Sequence, residues 1–231
     1  MVLMNLTFLN INNSPVNNCA ALAGLTNLTD LNLQQDSITN VDGLAGLTRL
    51  SFLNLNGNRI SDAKSLQGLT SLNYLDLGGN LLTNCDGLSN LINLFDLTLN
   101  GGRISDLDGL TNLTNLSYLE LGSNLISDLA ALADLTGLNS LDVSGNLLTS
   151  LSSLPNSAAL SWLDLDGNYL SLEASSPDAN IISDLTTRGV EVSYQSQNAL
   201  PLRSWLEMND KPANGQCQLT LHAMPGRLFE V

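Results

Sequence analysis

The sequence predicts an α/β repeat fold, a solenoid built by stacking short strand-and-turn units. Three observations predict it. First leucines return every 22 residues, at Leu6, Leu28, Leu50, Leu72, Leu94, Leu116, Leu138 and Leu160, with no insertion or deletion between them. Position 4 of every unit is leucine, and position 6 is Ile11, Leu33, Leu55, Leu77, Leu99, Leu121, Val143 or Leu165. Position 9 is Asn58, Asn80, Asn124, Asn146 and Asn168, with Ser14, Asp36 and Gly102 as departures. A fixed period of this size marks a solenoid, because one unit cannot bury its apolar face without its neighbours.

Each element of the unit has a physical reason. Leu-x-x-Leu-x-Leu alternates apolar and polar residues at period two, which is a short strand with one buried face. The asparagine after it both donates and accepts, so it can satisfy backbone groups left open where the chain bends inward. Position 12 carries Thr39, Ser61, Thr83, Ser105, Ser127, Thr149 and Ser171. These read as N-caps that open a short helical turn on the far side. Leucines at positions 17 and 20 return the chain to the core. Gly24, Gly46 and Gly68 at position 19 suit a positive φ, and Asn90, Asn112 and Asn156 tolerate one.

On these residues the chain resembles the leucine-rich-repeat family, and its unit is similar to the repeats of bacterial internalins. The resemblance spans Leu6 to about Ile181. It implies a right-handed curved solenoid with a parallel sheet on the concave face and 3-10 turns on the convex face. It also implies a non-catalytic binding protein, exposed on a bacterial surface or secreted.

The units run cleanly from Leu6 to Leu154, and the last begins at Leu160. Ser175-Ser176-Pro177-Asp178 then reads as a helix start, with proline in the first turn and an acid beside it. Ile181, Ile182 and Leu185 follow at helical spacing, Gly189 is a stop, and Val190, Val192 and Tyr194 alternate as one more strand. The expected organisation is a solenoid over 1–196, closed by a helix–strand cap at about 175–196. A linker follows over 197–215, and an incomplete β-rich module begins over 216–231, with a hairpin turning at Pro225-Gly226. Leu3 falls at position 20 of a unit that would begin before residue 1, so a further repeat or a cap is expected upstream.

Composition narrows the function. Acidic residues outnumber basic ones 22 to 8, a net charge of −14. Nucleic acid and anionic membrane surfaces are poor partners for such a chain. It has no apolar run of transmembrane length and no basic-then-apolar leader. Cys19 and Cys85 share position 14, which other units fill with Val41, Leu107, Leu129 and Leu151, so both read as core residues. Three units separate them by about 14 Å, and a disulfide needs Cα atoms within about 7 Å. The single histidine, His222, lies on the polar side of its strand. No catalytic, cofactor or metal motif is present, so an enzymatic activity would reside outside this chain.

The informative positions are 3, 5 and 7, which leave the strand on the open face. Position 3 is Phe8, Asp30, Phe52, Tyr74, Asp96, Tyr118, Ser140 and Trp162. Position 5 runs from Asn10, Asn32 and Asn54 to Asp76, Thr98, Glu120, Asp142 and Asp164, and position 7 ends at Asp166. Aromatics beside acids are typical of recognition surfaces. The candidate partner-binding residues are therefore Phe52, Tyr74, Asp76, Asp96, Tyr118, Glu120, Asp142, Trp162, Asp164 and Asp166. The partner they imply is a protein or a glycan, basic rather than acidic. Repeat duplication with drift also yields such columns, since aromatics favour strands. Two functions stay open at this stage: an exported binding module, and an intracellular scaffold or regulatory repeat protein.

Overall fold

The computed structural model describes residues 5–198, together with the backbone of 205–208 and 219–222. Nine strands form one parallel sheet in sequence order: β1 (Phe8–Asn10), β2 (Asp30–Asn32), β3 (Phe52–Asn54), β4 (Tyr74–Asp76), β5 (Asp96–Thr98), β6 (Tyr118–Glu120), β7 (Ser140–Asp142), β8 (Trp162–Asp164) and β9 (Glu191–Ser193). Every neighbouring pair from β1 to β8 is in the register of the 22-residue step, so Leu75 sits between Leu53 and Leu97, and Leu119 between Leu97 and Leu141. Single 3-10 turns, from Ala20–Leu22 to Ala130–Leu132, form the opposite wall. The leucine columns fill the space between sheet and turns. Leu75, Leu97, Leu99, Leu119 and Leu121 are at most 1% exposed. Each leucine buried in this way contributes about 1.5–3 kcal/mol.

The polar seam beside this core is the asparagine column. Asn58 Nδ2 donates to Leu55 O at 2.9 Å and to Leu33 O of the preceding repeat at 2.8 Å, while its Oδ1 accepts from Ile38 N at 3.0 Å. Asn80, Asn124, Asn146 and Asn168 repeat the pattern. Where consecutive rungs are present, a position-6 carbonyl accepts from two asparagines, as Leu55 O does from Asn58 and Asn80. Gly102 breaks this seam. Leu77 O keeps only Asn80, Leu99 O keeps only Asn124, and the Leu82 N–H meets no asparagine oxygen. Gly102→Asn supplies the missing rung. A Cβ there lies 2.9 Å from Asn124 Oδ1, which Ile104 N already holds, so the Asn124 rung must shift slightly to admit it. One net hydrogen bond is worth about 0.5–1.5 kcal/mol, so the midpoint of urea unfolding should rise by that amount less the cost of shifting Asn124.

Two local expectations are corrected. Positive φ falls at position 8, not at position 19: Asn13, Gln35, Gly57, Gly79, Gly101, Ser123, Gly145 and Gly167 all lie between +54° and +69°. This residue follows the strand and turns the asparagine inward, which is why five of the eight are glycine. The 3-10 turns are capped from position 13, not position 12. Asn18, Asn40, Asp62, Asn84, Asp106 and Asp128 each accept from the backbone N–H two residues on, at 2.6–3.2 Å. That reach suits an Asx side chain, and the position-12 hydroxyls point to solvent.

The far end closes with α1 (Pro177–Thr187). Ser176 Oγ accepts from Ala179 N at 3.1 Å, and Pro177 opens the first turn. Buried Asp178 docks the helix by accepting from Leu151 N at 2.9 Å and Ser171 N at 3.3 Å. Gln197 then completes the asparagine seam: its Nε2 donates to Leu165 O at 2.9 Å and Tyr194 O at 3.0 Å, and its Oε1 accepts from Leu170 N at 3.1 Å. The solenoid unit therefore extends to Asn198 rather than 196. In the second unit, β10 (Trp205–Met208) pairs antiparallel with β11 (Leu219–His222). A strand thus lies inside the stretch read as linker: three of its four residues, Trp205, Leu206 and Met208, are apolar, which the surrounding prolines and asparagines mask in a composition count. The expected turn at Pro225-Gly226, Cys217 and Leu3 lie outside the described residues, as does the His222 side chain. Cys19 and Cys85 are buried, unbridged thiols, both pushed up to about 12, chiefly by burial.

Candidate functional site

The parallel register converts each outward position of the repeat into a column across the concave face. Position 3 aligns Phe52 with Tyr74, then Asp96, Tyr118, Ser140 and Trp162. Phe52 and Tyr74 stack face to face, with ring centroids 4.4 Å apart and planes 6° from parallel. Burial raises the Tyr74 phenol to about 12, helped by the negative charges of Asp76, Asp96 and Glu120. It therefore stays an O–H donor at physiological pH.

Position 5 places Glu120, Asp142 and Asp164 on three adjacent strands, while Thr98 separates Asp76 from Glu120. The acidic column is thus interrupted in its own register, and Asp96 on the neighbouring column helps bridge the gap. Burial is the first cause that raises Asp96, with Asp76 second. Glu120 is raised by burial, then by Asp142, Asp96 and Asp76. Asp164 is raised by burial, which outweighs its bond from Asp166 N, and then by Asp142 and Asp166. Asp76 is raised by burial alone, against bonds from Gly78 N and Asn56 Nδ2.

These acids also have a local duty. Asp76 Oδ1 accepts from Gly78 N at 2.9 Å, Asp142 Oδ1 from Ser144 N at 2.8 Å, and Asp164 Oδ1 from Asp166 N at 2.9 Å. Asn54 Oδ1 makes the same bond to Asn56 N at 3.0 Å, so the turn needs the oxygen and not the charge. Glu120 has no such bond and accepts from Asn100 Nδ2 at 3.2 Å. Gly78 and Gly122 at position 7 leave gaps that neighbouring polar groups fill. A Cβ on Gly78 would overlap Asn100 Oδ1 and lie 2.8 Å from Asn56 Nδ2, and one on Gly122 would lie 2.7 Å from Asp142 Oδ2.

The raised carboxylates make stability depend on pH with a definite sign. Asp76, Asp96, Glu120 and Asp164 hold protons more tightly folded than unfolded. Stability from these groups is full below their ordinary values of 3.8 and 4.5 and falls as pH rises through the folded values. Exposed Asp42 and Asp128 are lowered by hydrogen bonds and act oppositely, below 3.8. The melting temperature should therefore rise as pH drops from neutrality toward the ordinary carboxylate values of 4.5 and 3.8. The variant Glu120→Gln/Asp142→Asn/Asp164→Asn should flatten that rise.

The structure thus gathers Phe52, Tyr74, Asp76, Asp96, Tyr118, Glu120, Asp142 and Asp164 on one surface. Trp162 lies on the same face at its far end, between Ser140 and Glu191. Asp166 serves the cap, accepting from Ser193 Oγ at 2.9 Å and Ser196 N at 3.5 Å. Sequence reasoning missed Phe95, whose ring meets Tyr118 edge-on at 5.5 Å and 64°. Phe95 and nearby Ile92 are both 51% exposed. The signal was available: position 2 is Thr7, Thr29, Ser51, Asn73, Ser117, Asn139 or Ser161 in every other unit. No helix among the described residues is long and apolar enough to cross a membrane.

Comparison with known proteins agrees with this architecture. Residues 48–90 match the family model described as leucine-rich repeats, two copies. The chain is similar to the crystal structure of internalin C2 from Listeria monocytogenes, with 30% identity and a TM-score of 0.72, covering 83% of this chain and 82% of that one. It is also similar to a second internalin of that organism, InlF, with 27% identity and a TM-score of 0.62 over 85% of this chain and 69% of that one. No curated protein matches the chain.

Proposed function

The chain belongs to the internalin family of leucine-rich-repeat proteins, and from that premise we propose that it is a non-catalytic module that docks a protein partner on its concave sheet face. We further propose that it acts at a bacterial surface or in the medium, as part of a larger surface or secreted protein. The observation that carries this reading is the coupled acid–aromatic surface from β3 to β8, where Phe52 stacks on Tyr74 and four carboxylates are raised. Holding like charges together on a half-buried face costs free energy that a cationic partner would return. A basic protein patch suits the face better than a neutral glycan for that reason, and the tyrosines offer π-faces to Arg or Lys.

Capture with the immobilised chain, followed by titration of the recovered protein, tests the reading. Tyr74→Ala with Tyr118→Ala should weaken association about tenfold or more, the scale of an aromatic hot spot. Far-UV circular dichroism should stay unchanged. An affinity untouched by this pair removes the concave face as the site.

A further inference from the structure

A second row of side chains lies off the concave face. Position 10, the residue after the seam asparagine, contributes Arg59, Leu81, Arg103, Leu125, Leu147 and Tyr169 from successive repeats. Each of their N–H groups donates to the position-11 carbonyl of the preceding repeat, from Arg59 N to Ile38 O at 2.9 Å through to Tyr169 N to Leu148 O at 2.9 Å. The row therefore advances one step per repeat. Leu81, Leu125 and Leu147 are 44%, 47% and 40% exposed, beside buried Leu82, Ile126 and Leu148. The core does not need them. Among the described basic side chains, Arg49 bonds Asn27, Lys64 pairs with Asp86, and Arg188 engages Asp184 and Ser157 O. The guanidiniums of Arg59 and Arg103 have no partner among the described residues. Two unpaired arginines flanking an exposed leucine stand out on a chain with net charge −14.

We propose that this row is a second docking surface, for an amphipathic α-helix whose carboxylates meet Arg59 and Arg103 and whose apolar side chains cover Leu81, Leu125 and Leu147. Charge complementarity selects the acid, and spacing selects the helix. Repeats advance by about 4.8 Å. A helix face presents a side chain every 3 or 4 residues, a mean step of about 5.3 Å, so five contacts drift by only about 2 Å. An extended strand presents same-face side chains about 6.8 Å apart and falls out of step within two repeats. Glutamates at i and i+7 and leucines at i+3, i+10 and i+14 reproduce the row.

Two labelled, alanine-rich helical peptides of that pattern test the proposal on the full chain by fluorescence anisotropy, one with Glu and one with Lys at i and i+7. The Glu peptide should bind at least about tenfold more tightly. Arg59→Glu with Arg103→Glu should reverse the preference, and Leu125→Ser should weaken both complexes. Tyr74→Ala with Tyr118→Ala should change nothing. The proposal is overturned if the peptides bind alike, or if the concave variant rather than the arginine variant abolishes binding. It is equally overturned if sedimentation shows a wild-type oligomer that Arg59→Glu dissolves, since the row would then be a contact between copies of this chain.

Discussion

Asn146→Leu should destabilise the solenoid by about 3 kcal/mol. Asn146 is 2% exposed and serves four backbone groups at once. Its Nδ2 donates to Leu121 O and Val143 O at 3.0 Å each and to Ser144 O at 3.1 Å, and its Oδ1 accepts from Ile126 N at 3.0 Å. Leucine keeps the branched outline with bulkier ends and returns none of these bonds. Leu121 O and Val143 O each keep a second donor, from Asn124 and Asn168. The Ile126 N–H keeps none. A buried orphan group costs about 1–3 kcal/mol, and three weakened acceptors bring the total to about 3. Urea unfolding of the two proteins measures the difference, provided the slopes agree. A loss below about 1 kcal/mol would mean that the leucine columns alone hold the stack and that the seam is incidental.

The same seam shows how far the sequence could be read. The strand register, the buried leucines and the helix–strand closure follow from strict periodicity, which leaves one arrangement that buries every Leu97-type position. The role of asparagine was legible because a small amide offers two donors and a separate acceptor, enough to serve several backbone groups at once. Its last rung, Gln197, was not, because α1 breaks the 22-residue step and a longer amide stands in. Positive φ was assigned to glycines at position 19 when position 8 carries it, since composition alone cannot say which of two glycine-rich positions bends the chain. On the concave face, the columns were legible and their couplings were not. The interruption at Thr98 stands in the position-5 column itself, whereas the draw of Asp166 into the cap and the reach of Phe95 to Tyr118 depend on side-chain directions across neighbouring strands. Leu81, Leu125 and Leu147 escaped notice for a related reason: a leucine in a leucine-rich repeat is assumed to be buried.

The largest effect on binding is expected from removing charge while keeping every turn intact. Lysine at 142 and 164 would lose the bonds from Ser144 N and Asp166 N, so it confounds charge with folding. Asparagine keeps them, as Asn32 and Asn54 already do at the same position. In Glu120→Gln/Asp142→Asn/Asp164→Asn the face keeps its shape and loses three negative charges. If these carboxylates receive a basic partner, the affinity of the captured protein should fall about tenfold to a hundredfold at low salt, or about 1.4–2.8 kcal/mol. Affinity measured against rising sodium chloride for the wild-type and triple-variant chains is the most direct test of the concave site. The account predicts a steep decline for the wild type and a much flatter one for the variant, the two converging at high salt. Parallel lines of equal affinity would contradict it, and would leave the acidic column as a set of turn-holding side chains and nothing more.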